Sequence, residues 1–88
     1  MKKITSKSLA EQFVRAILNN NKMVQLWDNP NDNRIMEIKE VDTYFEVEFA
    51  DTVNGVTFRK ETMRLPMLVE IVWENRKFIN QSEQLNNL

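Results

Sequence analysis

Asp42, Tyr44, Glu46 and Glu48 recur at every second position in the middle of the chain, interleaved with Val41, Thr43, Phe45, Val47 and Phe49. Such alternation puts the carboxylates and the phenol on one side of a strand and the apolar residues on the other. With Glu37, Glu40 and Asp51 nearby, the row offers charge complementarity to a basic partner, for instance a groove that otherwise holds phosphate. Tyr44 adds an aromatic anchor of the type that interfaces favour. An ordinary solvated strand face has the same pattern, so the row is a candidate docking surface and not a reaction centre. Core packing accounts for at least one of Trp27 and Trp73; Trp27, just before the turn formers Asp28-Asn29-Pro30-Asn31-Asp32-Asn33, is the one expected to be partly exposed.

Little else in the chain carries chemistry. It has no Cys, which excludes disulfides and thiolate metal sites, and no His, which removes the commonest general base and transition-metal ligand. A calcium loop starting at Asp28 fails on its own spacing: the third position is Pro30, the sixth is Asn33 in place of Gly, and the twelfth is Lys39 in place of a bidentate Glu. One glycine, Gly55, cannot make a phosphate-cradling loop. The sequon Asn80-Gln81-Ser82 has no meaning without secretion, and the apolar stretch after Met1-Lys2-Lys3 is broken by Lys7, Glu11 and Arg15, so no leader or membrane span is expected. The expectation is a cytoplasmic protein with no catalytic residues, no metal and no cofactor.

Net charge is only -1, but the charges are segregated along the chain. Residues 1–22 have a balance of +4, residues 23–51 one of -6 and residues 52–79 one of +2. The bases Lys2, Lys3, Lys7 and Arg15, with Arg59, Lys60, Arg64, Arg76 and Lys77, would form a nucleic-acid patch if folding gathered them. Asn occurs eleven times, a bias that an AT-rich genome would produce as readily as any structural need.

These residues must be positioned by a short α+β domain, for which 88 residues suffice. Ser8 and Glu11 fit a capping box at the start of a helix from about Leu9 to Asn19 or Asn20, with Leu9, Phe13 and Ile17 along its apolar face. Asn19-Asn20-Asn21 stops it. Met23–Trp27 and Arg34–Lys39 read as strands, and Glu40-Val41-Asp42 either turns the chain or continues through a bulge into the strand Thr43–Ala50. Asn54-Gly55 marks a hairpin, so Val56–Leu65 folds back on that strand. Pairing Phe49 with Phe58 and Glu48 with Arg59 satisfies both faces near the turn, but Met63 and Leu65 sit on the other parity, which calls for a bulge near Arg59–Thr62. Pro66 suits the first turn of a helix that carries Leu68, Ile71, Val72, Asn75 and Ile79 as one stripe. The β-branched run Met67–Trp73 is also compatible with a buried strand. Residues 1–7 and 81–88 are polar and expected to be loose.

The architecture expected is an N-terminal helix, three or four antiparallel strands and a C-terminal helix, with the helices on one face of the sheet. An α-β-β-β-α order is shared with double-stranded RNA-binding domains, yet the basic cluster those domains carry at the start of the second helix is replaced here by Pro66-Met67-Leu68-Val69-Glu70. In size, Asn bias and charge segregation the chain resembles accessory proteins of phages and mobile elements of low-GC bacteria, including inhibitors of host proteins. The functional expectation is a protein that binds and occludes a host protein through Asp42, Tyr44, Glu46, Glu48 and Trp27. The alternatives are a nucleic-acid-binding regulator using the basic N-terminal helix region, and a homo-oligomer in which a sheet edge and Trp27 meet symmetry mates.

Overall fold

The computed structural model describes residues 1–20, 23–27, 34–41, 43–51 and 56–87, with side chains for 1–20, 24, 38–41, 43–48 and 60–86. In chain order these form α1 (Lys7–Asn20), β1 (Met23–Trp27), β2 (Arg34–Val41), β3 (Tyr44–Asp51), β4 (Val56–Met63), α2 (Leu65–Glu74), α3 (Arg76–Gln81) and a 3-10 turn (Gln84–Asn87). The four strands make one antiparallel sheet in the order β1-β2-β3-β4, so each strand pairs with its sequence neighbours. The fold is α+β, as the alternation of patterns predicts.

α1 starts two residues earlier than the expected capping box. Ser6, not Ser8, is the cap: its hydroxyl accepts from the Leu9 N–H at 3.2 Å and its carbonyl from the Ala10 N–H at 3.0 Å. Two serines two residues apart compete for the role, and capping at Ser6 adds Lys7 and Ser8 to the helix as a further half-turn. At the far end the Asn20 amide donates to the Ala16 carbonyl at 2.7 Å, satisfying one of the last helical acceptors.

β2 ends at Val41 and β3 begins opposite it at Tyr44, so the chain turns here instead of running on; Asp42 lies outside the described residues. The hairpin pairing of Asp51 with Val56 fits an Asn54-Gly55 turn, which itself also lies outside them. The bulge is in β4 but nearer the turn than expected. Phe49 pairs with Arg59 and Ala50 with Thr57, leaving Phe58 as the extra residue, and Glu48 therefore faces Lys60 and not Arg59. Changing parity before Arg59 sets Met63 opposite Phe45 on the inner face, an apolar match that the later bulge would have reached only after misplacing Lys60.

The single C-terminal helix expected from one apolar stripe is two. α2 stops at Asn75, whose side-chain amide donates to the Ile71 carbonyl at 2.8 Å and whose backbone N–H reaches both Ile71 and Val72 carbonyls at 3.2 Å. An Asn that satisfies helix-end acceptors by itself lets the axis turn. α3 resumes on the same side, because Leu68, Val72 and Ile79 all remain buried. The strand alternative for Met67–Trp73 is excluded.

The core lies between the helices and one sheet face. Phe13, Val14 and Ile17 of α1, Leu68 and Val72 of α2 and Ile79 of α3 meet Val24, Ile38 and Val47 from three successive strands. Full burial of a side chain of this size contributes about 1.5–3 kcal/mol. The chain ends, which polarity alone leaves loose, are anchored by isolated apolar residues. Ile4 is 1% exposed and Leu85 is 4% exposed. Asn80 accepts from the Ile4 N–H at 2.8 Å and donates to the Ile4 carbonyl at 2.9 Å, and the Met1 ammonium donates to the Leu85 carbonyl at 3.0 Å.

Candidate functional site

Because helices cover one face of the sheet, the other carries the alternate side chains of β3. Tyr44, Glu46 and Glu48 share that face while Val47, between them, is fully buried. β3 is an interior strand, so each of the three is flanked on both sides or at a strand end. Tyr44 is opposite Val41, Glu46 lies between Lys39 and Thr62, and Glu48 lies between Glu37 and Lys60.

That register changes the electrostatics of the row. Lys39 and Lys60 occupy cross-strand positions directly beside Glu46 and Glu48, and directly opposed residues point to the same face. Lys60 Nζ is 3.7 Å from Glu48 Oε2, with the Glu48 side chain 29% exposed and the lysine largely in water. The acidic row of the sequence is thus the middle of a mixed-charge face. A pair of this exposure contributes about 0.2–1 kcal/mol, little enough for a partner's cation to take the place of Lys60.

Tyr44 is 37% exposed, one of few large apolar side chains at the surface among the described residues. Trp27 is not its neighbour. It pairs with Arg34, which in turn pairs with Asp51, seven residues along β3 from Tyr44 and so roughly 24 Å away. The Trp27 side chain and all of Asp42 lie outside the described residues. The described site is therefore Tyr44, Glu46 and Glu48, with Lys39, Lys60 and Thr62 as neighbours that strand pairing supplies and single-strand alternation cannot reveal.

Three of the basic residues are engaged within the chain. Lys7 pairs with Glu70 at 3.0 Å, joining α1 to α2, and Arg15 lies 3.7 Å from Glu11 one turn back. Arg76 stacks on the Trp73 ring at 3.8 Å from its centroid and donates to the Trp73 carbonyl at 2.8 Å. Trp73 is partly buried against the core, the packing role expected of at least one tryptophan. Among the described residues no group of three His, Cys, Asp or Glu is placed to hold a metal ion, and no helix is long and apolar enough to cross a membrane. No protein-family model, no curated protein and no solved structure matches this chain.

Proposed function

We propose that this is a non-catalytic binding protein that docks on another protein through the outer face of its sheet, with Tyr44 as the anchor and Glu46 and Glu48 as charge contacts. The observation that carries this reading is the placement of the three on an interior strand, on the side the helices leave uncovered. A sheet face held by a buried core is a rigid platform, so little ordering cost attends binding. The partner presents Lys or Arg side chains, one of which displaces Lys60 from Glu48. In biological terms the reading is of a phage or mobile-element accessory protein that occludes a basic groove on a host protein in the cytoplasm.

The test is affinity capture of the tagged protein from a low-GC bacterial lysate, with and without nuclease, in parallel with Glu46→Lys/Glu48→Lys. A nuclease-resistant partner lost in the double variant, whose circular dichroism matches wild type, supports the assignment. Capture unchanged by the double variant removes this face from the interaction. Partners lost on nuclease treatment transfer the reading to nucleic acid and to exposed Lys2 and Lys3.

A further inference from the structure

β4 is the last strand of the sheet, and its end adjoins an apolar groove. The groove, of about 510 Å³, is lined by Glu61, Thr62, Met63, Arg64, Pro66, Met67 and Ile71. Met67 is 55% exposed, on a helix whose neighbouring residue Leu68 is fully buried. Arg64 continues the strand in extended geometry, at φ -94° and ψ 165°, before α2 begins. The strand edge, the groove and the extended Arg64 are therefore continuous.

We propose that this edge takes an extended segment of a partner protein as a fifth strand, one that alternates apolar and acidic residues. The parity of β4 dictates the alternation. Positions opposite Met63 point inward, where Met63, Met67 and Ile71 receive an apolar side chain; Met side chains adapt readily to such an occupant. Lys60 lies on the outer face opposite Glu48, and both Lys60 and Arg64 are exposed cations that select for acid.

The same charges disfavour a second copy of this chain. Two-fold antiparallel pairing centred on Lys60, Glu61 or Thr62 sets Lys60 against Lys60, Glu61 against Glu61, or Lys60 against Arg64, and pairing centred on Met63 ends after Thr62 against Arg64, where α2 begins. Like charges directly opposed destabilise strand pairing. The two assignments share Lys60, so this one is tested at Met67, which lies outside the row of Tyr44, Glu46 and Glu48.

The experiment is panning of a linear random-peptide display library on the full-length protein, followed by fluorescence anisotropy titration of the enriched peptides. The expected result is a consensus alternating apolar and acidic residues, with affinity reduced at least tenfold by Met67→Glu and by Arg64→Glu. Both substituted side chains are exposed, and circular dichroism checks that each variant folds. No enriched sequence, or affinity indifferent to Met67→Glu and Arg64→Glu, overturns the proposal. So does sedimentation of the wild type as a dimer that Met67→Glu dissociates, which would make the occupant a second copy.

Discussion

The first and last strands of the sheet are both edges, yet the helical layer treats them differently. α3 lies against β1 and α1 against β2, and Val24 of β1 is almost fully buried beneath them. At the other end β4 pairs closely with β3, but its inner position Glu61 is exposed and Met63 is only half-buried. Ten residues of α2 reach far enough to bury Leu68 and Val72, and they leave Met67 outside. Among the described side chains the fully buried strand residues come from β1, β2 and β3, while the fourth strand carries an exposed charge on its inner side at Glu61. An inward charge on an edge strand is also a recognised guard against unwanted strand addition, which makes the apolar gap beside Met63 selective.

Substitutions can break this contrast, beginning with the covered side. Leu68→Ala is expected to cost about 2–5 kcal/mol in urea unfolding, because the cavity it leaves sits at the meeting of helices and sheet. A loss under 1 kcal/mol would mean that the helical layer is not seated on β1 to β3. Asn80→Ala removes two hydrogen bonds to Ile4 and leaves that backbone without its partner, at a cost of about 1–3 kcal/mol. On the open side the effects shrink. Lys60→Ala should change stability by roughly 0.2–1 kcal/mol, and the effect should fade in high salt, as read from melting curves with added sodium chloride. Met67→Ala should be smallest, within about 0.5 kcal/mol, so the adjacent pair Leu68 and Met67 sharpens the comparison within one helix.

How much of this was legible follows from the range of each interaction. The alternation around Val47 and the Pro66 helix start are local signals, and they placed β3 and α2 correctly. Ser6 and Ser8 are equivalent by type, so only the observed hydrogen bond separates them. Asn75 lies within an unbroken apolar stripe, and its role as a helix end depends on a side-chain contact that periodicity does not register. The candidate site was half legible: β3 alternation identified Tyr44, Glu46 and Glu48, while Lys39 and Lys60 beside them depend on register, including a bulge misjudged by a few residues. Met63, Met67 and Ile71 are separated in sequence by the strand-to-helix corner, and nothing in their spacing announces a shared groove.

The Asn80 clamp on Ile4 has a consequence for kinetics. It joins residues 76 positions apart, a closure expected late, after the intervening elements have brought the two ends together. Such a contact is expected to form after the folding transition state, so removing it should leave the refolding rate nearly unchanged while accelerating unfolding. In stopped-flow chevrons of Asn80→Ala, the unfolding arm should rise and the folding arm stay where it was. A single amide would then set how long the native state lasts once formed, with no part in how quickly it forms.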